Sequence, residues 1–318
     1  MQGAVYYVLL VLPALALAQD GLHISDIILP DSGAKASEAK VSVYFSIRKN
    51  QKVVYDITAD DCVLKIDSKR PEIVKQEVKP FIKGDRGVGV LFVFPIAKNY
   101  SEEHFGIRSA LGTLVKLFDR PVDMLNIVTY DTNATPVGWS RASESSLSQA
   151  LNNMQNSEVL EPNLFLSFSP ALLMLQSLKN VSQKYIVIIS DAEGAIVGDT
   201  DRSNELIGVF IDELIKNNII PIVIAYTPDG REAMPNSRLL MRIALNAGGA
   251  YYMAESSSAF QNVIQRDVYD YIFGQYIYEA TLNTKGSKYL KPDEHQLEFE
   301  VITDRRTAKK KINWPKLK

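Results

Sequence analysis

The chain has 318 residues, of which 46% are hydrophobic and 23% are charged, so it can bury the cores of two domains and is not intrinsically disordered. Its formal net charge of −2 argues against a nucleic-acid binder whose affinity comes from phosphate contacts. Cys62 is the one cysteine, which excludes an intrachain disulfide and a cysteine-based zinc site.

The first 18 residues have the pattern of a secretory signal peptide. Residues 5–17 are almost entirely apolar, and Ala16-Leu17-Ala18 is a small-x-small cleavage site. No lysine or arginine precedes the apolar part, which leaves an uncleaved membrane anchor as the alternative. We expect residues 1–18 to be removed and the mature protein to be secreted, periplasmic or held at the cell surface.

The next region alternates between apolar and polar residues in short runs. Residues 40–48 predict a half-buried strand, with Val41, Val43, Phe45 and Ile47 on the buried face. Alternating runs also cover residues 53–57, 62–66 and, more weakly, 73–78. Short strands separated by turns predict a small β-sandwich. Cys62 falls in the apolar phase, which favours a buried hydrophobe over a reactive thiol.

After a hinge at residues 83–87, strands and helices alternate, which predicts a doubly wound, mainly parallel α/β sheet. A helix over 171–178 should begin just after Pro170, because proline is favoured in the first turn. The predicted strands cover residues 88–94, 124–130, 185–189, 219–226 and 251–252, and the other predicted helices cover 104–118, 146–154, a stretch from Ser203 to near Asn217, 238–246 and 259–271.

The end of the chain returns to β alternation at residues 275–281 and 297–301. The simplest arrangement is one β-domain built from both chain ends, residues 19–87 plus 275–318, with an α/β domain at 88–274 inserted in it. The tail over residues 305–318 carries seven basic residues and no acidic one. It is either a solvated stretch or a contact with a polyanion or the cell-envelope surface.

Familiar catalytic motifs are missing from the sequence. Gly84, Gly87 and Gly89 lie before or at the start of a strand, whereas a dinucleotide site needs its glycines after one. There is no GxxxxGK[ST], GxSxG or HExxH motif. We therefore expect a protein that is not an enzyme.

The pattern resembles a known family. Residues 88–274 resemble a von Willebrand factor type A domain, and the mature chain resembles the secreted bacterial VWFA-related proteins. The resemblance rests on the order of strands and helices and on the opening β motifs Val41-Ser42-Val43, Val53-Val54-Tyr55-Asp56-Ile57 and the run from Asp60 to Ser68. It implies a Rossmann-like sheet and a role in adhesion or cell-envelope assembly.

Type A domains typically hold Mg²⁺ at a metal-ion-dependent adhesion site, and the resemblance locates its positions in this chain. The D-x-S-x-S positions read Pro95, Ala97 and Asn99, the threonine position falls near Leu166 or Ser167, and the metal aspartate is Asp191. Proline and alanine have no side-chain oxygen, and Lys98 places a cation beside the site. We predict a degenerate site with no metal and no other cofactor, Mg²⁺ being the less favoured alternative.

Two alternatives for the charged residues near the expected metal site stay open. A rebuilt cation site would use carboxylates expected near the carboxyl ends of strands, namely Asp131, Asp191, Glu193, Asp199 and Asp201. An ion pair between Lys98 and Asp191 would instead replace the metal by a fixed charge.

The function we predict is that of an exported, non-enzymatic module that binds a protein partner. Trp139 is either a binding anchor or a cover over the β-domain. The alternatives are a metal-dependent adhesin with a noncanonical cation site around Asp191 and an exported α/β enzyme. The expected partner-binding face consists of Lys98, Asn99, Asp131, Trp139, Asp191 and Glu193.

Overall fold

A computed structural model describes residues 21–29, 38–49, 52–96, 101–118, 120–141, 146–155, 157–159, 162–190, 200–226, 237–285, 294–302 and 306–313. The first strands are β1 (Gly21–Ile28), β2 (Glu38–Lys49), β3 (Lys52–Val53), β4 (Cys62–Ile66) and β5 (Ile73–Pro80). Next come β6 (Gly87–Pro95), α1 (Ser101–Leu117), β7 (Met124–Tyr130), β8 (Ala134–Pro136), β9 (Ser140–Arg141), α2 (Ser146–Asn153), α3 (Phe165–Ser177), β10 (Val181–Ser190), α4 (Thr200–Lys216), β11 (Ile219–Tyr226), α5 (Ser237–Asn246), β12 (Ala250–Ala254), α6 (Ser257–Asn262) and α7 (Tyr269–Phe273). The chain closes with β13 (Tyr276–Asn283), β14 (Glu294–Val301) and β15 (Arg306–Asn313).

The middle of the chain forms the predicted parallel sheet. Its strand order is β12-β11-β10-β6-β7-β8, and β9 also pairs with β7. The pairs among β12, β11, β10, β6 and β7 are all parallel, whereas β8 and β9 run antiparallel to β7. Every residue of β6 and β11 is buried, because helices α1, α2, α6 and α7 cover one face and α3, α4 and α5 the other. The predicted doubly wound α/β fold is confirmed.

Two antiparallel sheets make up the sandwich. One has the order β1-β2-β13-β5, with β3 beside β2, and the other has the order β15-β14-β4. Tyr278 in β13 pairs with Val43 of β2 on one side and with Val78 of β5 on the other. Phe45 and Phe299 join the two sheets, with ring centroids 4.8 Å apart. Strands from both chain ends therefore share one core, as predicted, while the domain boundaries at residues 87 and 274 stay predictions.

The prediction that residues 40–48 form a half-buried strand is wrong, because both faces of β2 are buried. Val43 and Phe45 point into the sandwich core, as expected. On the other face, Tyr44 packs against Phe81 and belongs to the core cluster of the α/β part, and Arg48 is only 4% exposed. The β-sheet of β2 is thus the middle layer of the molecule, which local alternation could not reveal.

The predicted alternating strand over residues 53–57 is also mostly wrong. Only Lys52–Val53 pairs with β2. Asp56 has a left-handed backbone with φ 69°, and Tyr55 is 56% exposed. A left-handed residue interrupts the pleat, so the strand cannot continue past this point.

The predicted start of the helix after Pro170 is wrong. Helix α3 begins at Phe165, and Pro170 lies inside it. A proline within a helix removes one main-chain hydrogen bond. Burial of Phe168, Ala171 and Leu175 against the sheet compensates, because these side chains belong to its core cluster.

The basic tail is in part a strand. Residues 306–313 form β15, which pairs with β14 over its whole length. Lys309 Nζ lies 2.6 Å from Glu298 Oε1, and Lys311 Nζ lies 2.9 Å from Glu294 Oε1. Two of the basic side chains therefore face carboxylates of the neighbouring strand. Residues 303–305 and 314–318 lie outside the described residues.

Candidate functional site

The carboxyl edge of the parallel sheet is the candidate site, and β6 stands at its centre. From β6 the chain passes to β7 on one side, and β10 then pairs on the opposite side. In open α/β sheets this reversal creates a crevice at the carboxyl ends of the strands, where such folds bind their ligands. By this rule the expected binding position is between the ends of β6 and β10, where β6 ends at Pro95 and β10 ends at Ser190.

Pro95 occupies the first position of the expected metal site, at the end of β6. It is buried and pairs with Tyr130 of β7. The next residue, Ile96, donates its N–H to the Tyr130 carbonyl oxygen at 3.0 Å and accepts a hydrogen bond from the N–H of Ser157 at 2.7 Å. The main chain at Ile96 is thus hydrogen-bonded to β7 and to Ser157. The proline ring has no oxygen that could bind a cation. Ala97, Lys98 and Asn99 lie outside the described residues.

Asp131 directly follows β7 at the same edge. Its Oδ1 accepts a hydrogen bond from the N–H of Asn133 at 2.7 Å, and its carbonyl oxygen accepts one from the N–H of Asn163 at 2.8 Å. This is an Asx turn, in which the carboxylate shapes its own loop. Asp131 is half-buried and lies directly after the end of β7.

Ser167, at the expected threonine position, lies in the first turn of α3 and is fully buried. Its Oγ donates a hydrogen bond to the Leu164 carbonyl oxygen at 2.6 Å. The hydroxyl therefore makes a hydrogen bond at the start of α3. In the alternative position, Leu166 has no side-chain oxygen.

Asp191, Glu193 and Asp199 lie outside the described residues, and so does the postulated ion pair of Lys98 with Asp191. Asp201 is described as an exposed residue near the start of α4. Within the described ranges, no group of three His, Cys, Asp or Glu side chains could hold a metal ion. The rebuilt cation site around Asp191 therefore stays a prediction.

The structure does not bring Trp139 to this edge. After Asp131 the chain folds back along β7, so that Ala134 pairs with Tyr130 while Ser140 pairs with Leu125 near the other end of the strand. Trp139 is partly buried and packs against the core cluster of the parallel sheet. It is therefore a cover over the α/β part, and the alternative of a cover over the β-domain is wrong.

A contact that sequence reasoning missed lies at the end of β11. The Tyr226 hydroxyl oxygen is 3.0 Å from the Ser257 Oγ, beside Gly106 of α1. A Cβ at Gly106 would stand 3.2 Å from that Oγ, so the glycine permits the close approach of α1. The contact connects the end of β11 with the start of α6, close to α1. No short sequence motif predicts it.

A second missed feature is a surface groove between α3 and α4, which we call the α3–α4 groove. It has a volume of about 350 Å³. The sequence signal was available, because the 13 residues of α3 include no charged side chain although the helix lies at the surface. The groove is lined by Phe165, Phe168, Ser169, Leu172, Leu173, Gln176, Leu206, Val209 and Phe210.

Comparisons with solved structures find remote likenesses. The chain is similar to a solved von Willebrand factor type A structure. That protein, from Catenulispora acidiphila, is 8% identical, and the match covers 94% of this chain and 74% of that one with a TM-score of 0.49. BatB from Bacteroides thetaiotaomicron is 14% identical over 58% of this chain and 98% of that one, with a TM-score of 0.47.

The pilus adhesin SpaC from Lactobacillus rhamnosus GG is 9% identical over 90% of this chain, with a TM-score of 0.49, and the match spans only 46% of SpaC. No protein-family model matches the chain, and no curated protein does. Scores below 0.5 at such low identity carry no argument about this chain. Among the described helices, none combines the length and apolar character needed to cross a membrane.

Proposed function

We propose that the chain is an exported, non-enzymatic module that binds a protein partner at the carboxyl edge of its parallel sheet. The observation that supports this most directly is the reversal of strand order at β6, because open α/β sheets bind their ligands at such a switch point, here between the ends of β6 and β10. The face comprises the loops after β6, β7 and β10, with Lys98, Asn99, Asp131, Asp191 and Glu193. Trp139 is not part of this face, although the sequence predicted it there, because it lies near the other end of β7.

We propose further that this face works without a metal. The described donor positions do not fit Mg²⁺, which prefers several oxygen ligands in octahedral geometry. Pro95 has no side-chain oxygen, the Ser167 hydroxyl donates to Leu164, and the Asp131 carboxylate closes its own turn. One further aspartate, Asp191, would be too few ligands for tight binding.

Calorimetric titration of the chain with Mg²⁺, Mn²⁺ and Ca²⁺ tests the metal-free state. We expect no binding heat for any of the three ions. Binding that disappears in Asp191→Ala would contradict the proposal and favour a metal-dependent adhesin with a site around that residue.

Partner binding is tested by chemical cross-linking of the chain in cell-envelope extracts of its source organism. We expect cross-linked proteins that are lost in the double variant Lys98→Glu, Asp131→Lys and kept in Lys40→Glu. Lys40 is a suitable control because it lies on β2 and its side chain is 60% exposed. Equal cross-linking by all three chains would contradict the proposed face. Export itself is tested by fractionation, with the chain expected outside the cytoplasm and shortened by residues 1–18.

A further inference from the structure

A polar groove lies on the face of the parallel sheet opposite to the α3–α4 groove. It runs between α1 and α2, and we call it the α1–α2 groove. Its volume is about 480 Å³, a size that suits a small ligand. The groove is lined by Arg108, Ser109, Gly112, Thr113 and Lys116 of α1 and by Ser148, Leu151 and Asn152 of α2.

The lining offers hydrogen-bonding groups and little apolar surface. Apart from a glycine and a leucine, every lining residue is polar. The side chains of Ser148, Asn152 and Lys116 make no hydrogen bond to another described residue. Thr113 Oγ1 donates to the Ser109 carbonyl oxygen at 3.1 Å and can still accept. These described lining residues include no aromatic ring, so the groove suits a ligand rich in hydroxyl groups better than a flat nucleobase.

Both charged side chains in the lining are cations, and they stand at opposite ends of the groove. The Arg108 guanidinium donates to the Met154 carbonyl oxygen at 2.7 Å, which holds it beside the end of α2. Lys116 is exposed and lies eight residues, or about 12 Å, further along α1. A ligand that contacts both cations must therefore carry anionic groups at two separate points.

The other charges on and around these helices lie outside the lining. Glu102 and Glu103 are in the first turn of α1, about 8–9 Å before Arg108 along the helix axis. That is close to the Debye length at physiological salt, so they act only weakly on an anion between Arg108 and Lys116. Helix α2 has no charged residue. The adjoining segments carry charges of both signs, at Asp119, Arg120, Arg141, Glu144 and Glu158.

We propose that the α1–α2 groove binds an acidic oligosaccharide, that is, a hydroxyl-rich chain that carries carboxylate or sulfate groups. Arg108 and Lys116 pair with anionic groups at its two ends, and Ser148 and Asn152 hydrogen-bond to hydroxyls between them. A peptide fits less well, because the one large apolar side chain of the lining, Leu151, is only 2% exposed and offers no anchoring pocket. The site is separate from the face at the carboxyl edge and does not depend on the function proposed there.

Isothermal titration calorimetry of the chain with defined oligosaccharides tests the proposal. Tetragalacturonate supplies carboxylates, a heparin tetrasaccharide supplies sulfates as well, and maltotetraose is the neutral control. We expect at least one acidic tetrasaccharide to bind, with an affinity that falls in about 0.5 M salt, and maltotetraose not to bind. Binding of tetragalacturonate indicates that carboxylates suffice, whereas binding of the heparin fragment alone indicates a sulfated ligand.

Two matched pairs of variants locate the site. An added Cβ would meet no atom within 4 Å at Gly112 of α1 or at Gly208 of α4, so leucine is tolerated at both. Gly112→Leu narrows the groove and should weaken binding roughly tenfold, while Gly208→Leu leaves it unchanged. Lys116 and Lys216 each lie in the last turn of their helix. Lys116→Gln should weaken binding roughly fivefold, and Lys216→Gln should not.

Urea unfolding separates lost binding from lost folding. We expect both leucine variants to be at least as stable as wild type, because leucine favours a helix over glycine. The proposal is overturned if neither acidic tetrasaccharide binds, if maltotetraose binds as tightly, or if Gly112→Leu and Lys116→Gln bind like wild type. It is also overturned if tetraglutamate or inorganic phosphate competes as well as the best oligosaccharide, because the occupant is then an acidic peptide or an adventitious ion only.

Discussion

The guanidinium carbon of Arg48 lies 3.7 Å from the centroid of the Tyr271 ring, and the same guanidinium donates a hydrogen bond to the Tyr271 carbonyl oxygen at 3.0 Å. Arg48 is near the end of β2 in the sandwich, whereas Tyr271 belongs to α7 of the α/β part. Arg48 also hydrogen-bonds to Tyr185 of the parallel sheet. One buried cation thus joins the middle sheet of the sandwich to two elements of the α/β part.

We expect Arg48→Ala to lower the free energy of unfolding by about 3 kcal/mol, because it removes a buried cation–π contact and leaves buried acceptors without their donor. Urea unfolding followed by circular dichroism measures the change. Arg266→Ala is the control, since the Arg266 side chain is 72% exposed and pairs with Asp267 at the surface. If the two variants lost equal stability, the role of Arg48 as a joint would be refuted.

The link between the two parts depends on a second arginine, Arg120. It donates to the carbonyl oxygens of Phe81 at 3.2 Å, Gly84 at 3.3 Å and Arg86 at 2.5 Å. Arg120→Lys keeps the charge but loses the planar fork, so we expect it to cost about 1–3 kcal/mol and to speed proteolysis at residues 83–87. Mass spectrometry of the first cleavage products checks this. Unchanged cleavage would show that the segment is held by other contacts.

Cys62 should be chemically inert in the folded protein. It is 6% exposed at the start of β4, and burial, with the nearby charge of Asp61, raises the pKa of its thiol to about 12. The thiolate is the reactive form, so at pH 8 a thiol reagent should react with Cys62 on the order of a thousandfold more slowly than with a free cysteine. Reaction is followed by absorbance, with the protein unfolded in guanidinium as the control. Rapid reaction of the folded protein would contradict burial.

The turn between β4 and β5 should make stability depend on pH in the acid range. Asp67 accepts a hydrogen bond from the N–H of Gln296 at 2.9 Å, and its Oδ2 lies 2.6 Å from His295 Nδ1. These two contacts lower the pKa of Asp67 in the folded state. A lowered folded pKa means that the carboxylate stabilises the fold above its unfolded pKa of about 3.9 and that this is lost as the pH falls through the folded value.

Asp67→Asn is therefore expected to be less stable than wild type at pH 7, with a difference that shrinks as the pH falls below about 4. Asparagine suits the site because the backbone there is left-handed, with φ 50°. Urea unfolding at a series of pH values measures the difference. Asp60→Asn, an exposed carboxylate just before β4, is the comparison. A difference that stayed constant down to pH 2 would rule out the titration of Asp67 as the cause.

Much of the fold could be predicted from local patterns. The apolar runs of β6 and β11 indicated strands covered on both faces, and all their residues are buried. The alternation at both chain ends indicated one sandwich, which β13 completes between β2 and β5. Such patterns work because a strand's pleat and a helix's turn repeat along neighbouring residues.

The site was less predictable. The metal positions inferred from the sequence lie in the loop that begins at Pro95, and the strand register pairs that residue with Tyr130 at the end of β7. Trp139 follows Asp131 by only eight residues, so the sequence predicts it on the same face. The chain turns at residues 131–133 and folds back along β7, which carries Trp139 away from that face.

The sequence by itself determined which residues are apolar and with what period, and therefore the identity of most strands and helices. Only the tertiary structure decided that Arg48 is buried between two layers, that residues 306–313 pair with β14, and that α3 meets α4 in an open groove. The physical reason is that periodicity shows which faces of an element can be covered. Which partner covers them depends on contacts between residues far apart in the chain, such as the 223 positions that separate Arg48 from Tyr271.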